Sequence, residues 1–169
     1  QSQADRYWPM FNRDLAGTSY SPLKQIDSSN VSKLTKAWQY RFNREGKTMN
    51  GLSASELYQE ITPIVVNGIM YSPSGDRVVA LEAETGKELW SYEVTGGLAS
   101  FRGAAYWAGD RNNPPRIIFT TGRKMMALNA RTGTVDPGFG KEGSVDPEVP
   151  FAGGPTVYKN LLFVGGAVP

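Results

Sequence analysis

Ala80-Leu81-Glu82-Ala83-Glu84-Thr85-Gly86 returns 47 residues later as Ala127-Leu128-Asn129-Ala130-Arg131-Thr132-Gly133. Five of the seven positions are identical and in the same frame. Each copy has its own physical logic. Ala-Leu-x-Ala alternates side chains across a strand, and the small alanines allow close sheet packing. Thr-Gly then turns the chain, because glycine accepts positive φ without steric cost. A period of about 40–50 residues built from short strands marks β-propeller blades.

Working outward, Lys87-Glu88-Leu89-Trp90 follows the first copy, and Trp90 is large enough to wedge between neighbouring blades. Trp38, in Leu34-Thr35-Lys36-Ala37-Trp38, stands 52 residues earlier as the same docking element. The second copy has no such tryptophan and runs into Pro137-Gly138-Phe139-Gly140. An upstream strand recurs as well. Pro63-Ile64-Val65-Val66-Asn67-Gly68-Ile69-Met70-Tyr71 resembles Pro155-Thr156-Val157-Tyr158-Lys159-Asn160-Leu161-Leu162-Phe163, 92 residues on and close to two periods. Strands are expected at 37–42, 63–71, 77–82, 88–93, 104–107, 116–121, 124–129 and 156–164. A single helical turn is expected at 28–34, where capping residues precede a short apolar pattern. Residues 1–25 read as a loop-rich arm, 43–58 as a polar loop and 137–150 as a Gly/Pro-rich connection. The fold class is all-β: an N-terminal arm, two blades and the start of a third. Residues 1–169 are expected to be the incomplete N-terminal portion of a single propeller domain.

Composition narrows the chemistry. The 169 residues carry a formal charge of +2, with no Lys/Arg run, which argues against nucleic acid as a partner. No apolar stretch approaches the roughly 18 residues of a membrane-spanning helix. The chain has no Cys and no His. A disulfide, a Cys/His zinc site, a covalent haem attachment and a Ser-His-Asp triad are therefore excluded within this segment. Asp76, Asp110, Asp136 and Asp146 sit beside Gly, Pro or Arg and read as turn residues rather than metal ligands.

Longer motifs carry a family resemblance. They are Trp8-Pro9, Tyr20-Ser21-Pro22-Leu23-Lys24-Gln25-Ile26, and Asn30-Val31-x-x-Leu34-x-x-Ala37-Trp38. Glu60-x-Thr62-Pro63-Ile64-Val65-Val66, Arg102-Gly103-x-Ala105-Tyr106-Trp107 and Pro137-Gly138-Phe139-Gly140-x-x-Gly143 follow in collinear order. Together they resemble the mature N-terminus of quinoprotein dehydrogenases dependent on pyrroloquinoline quinone (PQQ), which oxidise sugars or alcohols on an eight-bladed propeller. The resemblance implies that Glu60 hydrogen-bonds the rim of PQQ and that Arg102 stands beside its ortho-quinone oxygens. An always-charged guanidinium suits a planar tricarboxylate that gains negative charge on reduction.

The resemblance also implies Ca²⁺, an electron acceptor that is a quinone or a cytochrome, and a periplasmic location. The calcium ligands, the catalytic Asp base and the remainder of the propeller are expected beyond residue 169. Three positions depart from the pattern. Gly96 and Gly97 stand where many alcohol-oxidising members carry adjacent cysteines. Trp107 replaces a histidine of the glucose oxidisers, and Ala152 replaces a threonine. A cofactor-free scaffold propeller and a pseudoenzyme remain the rival readings.

The strand at Leu161-Leu162-Phe163-Val164 is expected to leave an open sheet edge, since too few blades are present to close a ring. Residues 1–169 expressed alone should aggregate or melt without cooperativity. A sharply melting monomer in calorimetry would refute that expectation.

Overall fold

The computed structural model describes residues 7–42, 61–95, 97–100, 102–148, 150–151 and 153–166. Among the described residues, regular structure other than the 3-10 turn at Val31–Lys33 is antiparallel strand. No helix among the described residues is long and apolar enough to cross a membrane. The first sheet runs in the order β1 (Ile64–Val66), β2 (Ile69–Ser74), β3 (Arg77–Glu82), β4 (Glu88–Glu93). The second repeats that order with β5 (Ala105–Trp107), β6 (Arg116–Thr121), β7 (Lys124–Asn129) and β8 (Ser144–Val145). A hairpin of β9 (Thr156–Tyr158) and β10 (Leu161–Phe163) begins a third unit. Two four-stranded meanders and the first hairpin of another are what the repeat implies.

Burial within β6 shows how the units stack. All six of its residues are buried, as expected of a strand covered on both faces. Ile117 and Phe119 join a core with Ile64, Tyr71, Val78 and Ala80 of the first sheet. Ile118, on the opposite face, packs with Met125 and Ala127 toward Val157 and Leu162 of the third unit. The period-2 alternation of one strand thus serves two interfaces.

Trp38 and Trp90 occupy equivalent, half-buried places. The Trp38 indole N–H donates to the Ala83 carbonyl at 3.1 Å, and that of Trp90 to the Ala130 carbonyl at 3.0 Å. Each ring lies on the glycine of the following Thr-Gly turn. A Cβ added to Gly86 would stand 2.6 Å from the Trp38 ring, and one added to Gly133 would stand 2.6 Å from that of Trp90. Both glycines hold φ of +73°. Each tryptophan therefore clamps the turn of the next unit rather than its own.

Three strand expectations need correction. Residues 63–71 form a hairpin rather than one strand: Asn67 and Gly68 take φ of 53° and 77°, the pairing that a two-residue hairpin turn demands. The related stretch from Thr156 to Phe163 likewise turns at Lys159-Asn160. Residues 37–42 enter no backbone ladder among the described residues; side chains hold them, through Trp38 to Ala83 and the Tyr40 hydroxyl to Glu88. The Gly/Pro-rich connection contains the short β8, which pairs with Met125 and Met126.

Gly133→Ala should lower stability by about 2–3 kcal/mol, because the new methyl collides with Trp90 at a φ that alanine resists. Trp90→Phe should cost about 1 kcal/mol more than its lost area explains, for the missing indole hydrogen bond. Chemical denaturation of the full-length variants reads both.

Candidate functional site

The inner strands β1, β5 and β9 lie side by side, β1 against β5 and β5 against β9. The residues leading into each strand consequently meet at one end of the stack. Thr62 leads into β1, Leu98 to Ser100 and Arg102 lead into β5, and Gly153-Gly154 lead into β9. They enclose a groove of about 930 Å³, which Thr156 and the N-terminal arm also line.

Arg102 is exposed at this groove, and its amide donates to the Ser100 hydroxyl at 3.2 Å. Its backbone is fixed by contact with the third unit. A Cβ on Gly154 would lie 2.4 Å from the Arg102 carbonyl oxygen, so only a glycine admits that approach. Gly97 is similarly tight, since a Cβ there would meet the Thr121 hydroxyl at 2.7 Å. A cysteine-sized side chain at that position would require Thr121 to move.

The arm forms the remaining wall. Trp8 pairs with Val65 on the free edge of β1 through two backbone bonds of 2.8 and 2.9 Å. The Pro9 carbonyl accepts from the Tyr106 amide of β5 at 3.1 Å. Residues 8 and 9 therefore stitch the inner strands of two blades together.

Arg102 is thus brought to the groove, and Thr62, two positions after Glu60, lines the same space. Glu60, Gly96 and Ala152 lie outside the described residues. Sequence reasoning did not single out Thr62, Ser100, Thr156 or the arm residue Phe11 as lining residues. Thr62 fell inside a matched motif, but nothing local marks the others.

The aromatic pair after Arg102 is structural. Tyr106 stacks on Tyr71, with ring centroids 6.4 Å apart. Burial, with a smaller contribution from Tyr106, pushes the Tyr71 hydroxyl up to about 12. Trp107 points to the opposite face, where the Arg116 guanidinium lies 4.8 Å from its ring and its indole N–H donates to the Lys159 carbonyl at 3.1 Å.

Asp136 accepts from Arg116 at 2.6 Å and from the Gly138 amide at 2.9 Å. Asp110 and Asp146 cap their own turns, and Asp76 stands 3.6 Å from Arg77. The described residues contain no cluster of three His, Cys, Asp or Glu that could hold a metal.

A concave groove with a few convergent polar groups, set at the inner ends of propeller blades, is the default place to look for a ligand site. The profile of the PQQ-type glucose/ethanol/alcohol dehydrogenase β-propeller domain matches residues 8–166, and the chain belongs to that family. It is 39% identical over 137 residues to the dehydrogenase subunit of a quinone alcohol dehydrogenase from Gluconobacter oxydans, covering 75% of this chain and 16% of that protein. It is 31% identical to the quinoprotein glucose dehydrogenase of Escherichia coli, covering 83% of this chain and 19% of that one. Among solved structures, the quinohemoprotein alcohol dehydrogenase ADHIIG from Pseudomonas putida HK5 superposes with a TM-score of 0.72 at 25% identity, over 97% of this chain and 24% of its own. The chain therefore spans between 16% and 24% of the length of these relatives.

Burial alone would raise the Asp136 carboxyl, but the Arg116 hydrogen bond, the Gly138 amide and the Arg116 charge together hold it below the ordinary range. A depressed folded-state value stabilises the fold above the unfolded pKa, and that contribution is lost as pH falls through the folded pKa. Asp136→Asn should lower stability at neutral pH by about 3–5 kcal/mol, since it leaves the buried Arg116 charge without its carboxylate. The gap to the wild type should close in strong acid. Thermal melts across that pH range read the result.

Proposed function

We propose that this chain is the N-terminal part of a dehydrogenase that oxidises a sugar or alcohol with PQQ as its electron acceptor. The observation that carries the reading is Arg102 at the groove where the three inner strands converge, in a chain of this family. The residues present suit the cofactor. PQQ is a flat tricarboxylate, and the groove offers the Arg102 guanidinium, the hydroxyls of Thr62, Ser100 and Thr156, and glycines that permit close approach, while the Asp14 carboxylate on the arm side is engaged by the Thr18 amide and hydroxyl.

When bound, PQQ supplies a two-electron quinone acceptor for the substrate's hydride. Arg102 would hold the edge of the bound cofactor, its planar, always-charged fork suited to paired oxygens that carry negative charge. The hydroxyls fix the orientation of the anionic edge, and the arm keeps bulk water off one side of the groove. Glu60 is the proposed acidic contact on the cofactor rim, on the strength of its motif alone. Ca²⁺, the Asp base, a quinone or cytochrome that takes up the electrons, an eight-bladed ring and a periplasmic setting belong to the same proposal.

In the full-length protein loaded with PQQ and Ca²⁺, Arg102→Ala should lower kcat by about 10²–10³-fold, with little change in KM. Arg102→Lys should recover only part of the loss, because an ammonium lacks the planar fork. Failure of the wild-type protein to bind PQQ would overturn the reading. An unchanged kcat in Arg102→Ala would remove Arg102 from it.

A further inference from the structure

We infer that Phe11, on the N-terminal arm, is the residue against which the flat face of the ring system rests in this groove. The inference relies on the cofactor reading above and adds to it a wall and a contact residue.

Phe11 is half exposed, at 49%, although its backbone is well held. The Trp8 indole N–H donates to its carbonyl at 3.1 Å, one turn of chain beyond the Trp8–Val65 ladder. The chain after it closes on itself. The Ser19 amide donates to the Asn12 carbonyl at 3.2 Å, and the Gly17 and Thr18 amides donate to the Asp14 carbonyl and carboxylate, each at 3.1 Å. An arm pinned at both ends presents its aromatic ring in a fixed place. Such preorganisation lowers the ordering cost of a contact with a ligand.

That place adjoins Arg102. A Cβ on Gly103 would lie 3.7 Å from the Phe11 ring, so the ring approaches the backbone directly after Arg102. The groove is consequently two-sided. Its blade loops bring Arg102 and the Thr62, Ser100 and Thr156 hydroxyls, while its arm brings Phe11, Met10 and Leu15 together with Asn12 and Asp14, whose carboxylate is engaged by Thr18. A ligand with an anionic rim and an apolar π-face satisfies both sides at once. A polyol or an inorganic anion would leave the aromatic wall unused. An exposed phenylalanine in a concave wall beside a cation also has no partner role in the apolar cores of the two sheets, which do not include it.

The test is a titration of the native full-length protein with PQQ, followed by quenching of intrinsic fluorescence. Phe11→Ala should weaken PQQ about three- to tenfold, the range of an aromatic pair beyond area burial. Phe11→Tyr and Phe11→Trp should stay near the wild type, and Phe11→Leu should fall between, which keeps the test open if the alanine variant folds poorly. Citrate, a tricarboxylate with no ring, should bind all variants alike. Equal PQQ affinity in wild type and Phe11→Ala, or a loss of citrate binding in step with PQQ, would overturn the inference while leaving the cofactor reading intact. A wild-type protein that binds no PQQ overturns that reading instead.

Discussion

An indole laid on a glycine turn governs the arrangement of this chain. Trp38 meets Gly86 and Ala83, and Trp90 meets Gly133 and Ala130, with the same ring atoms nearest the glycine and nearly the same hydrogen-bond lengths. Two requirements coincide at each turn. The backbone needs a positive φ, and the ring needs the space that a Cβ would fill. Separation along the chain matters less than the contact. It is 45 residues from Trp38 to Ala83 but 40 from Trp90 to Ala130. Connections of different length therefore deliver the same docking.

The groove follows from that docking. With the first sheet held to the second through Trp90, and the second to the third-unit hairpin through Ile118, Trp107, Val157 and Leu162, β1, β5 and β9 stand together, and the segments that enter them share one end. Loops far apart in sequence can then combine a cation, hydroxyls and bare glycine backbone around one space. The arm completes it by using the free edge of β1 and a spare amide of β5. Innermost edges would otherwise carry unpaired backbone groups, and Trp8 and Pro9 satisfy part of that need. Buried ion pairing plays a separate, structural part. Arg116 and Asp136 join the start of β6 to the loop after β7, with Trp107 stacked on the guanidinium.

The repeated phrase, the Thr-Gly turns and the tryptophans determined the fold class and the number of units, because their spacing and residue types are local properties of the chain. Arg102 was legible as a candidate because its flanking motif is long and unusual. The sequence alone also ruled out cysteine and histidine chemistry. Other features were decided by tertiary structure. Asn67-Gly68 divides an apparently continuous strand, and only pairing shows where the strand folds back. Residues 37–42 have strand composition but no ladder among the described residues, because a strand is defined by its neighbour. Phe11, Thr62 and Thr156 become one surface only when three inner strands and the arm converge, and no local pattern encodes a convergence of segments 51 to 145 residues apart.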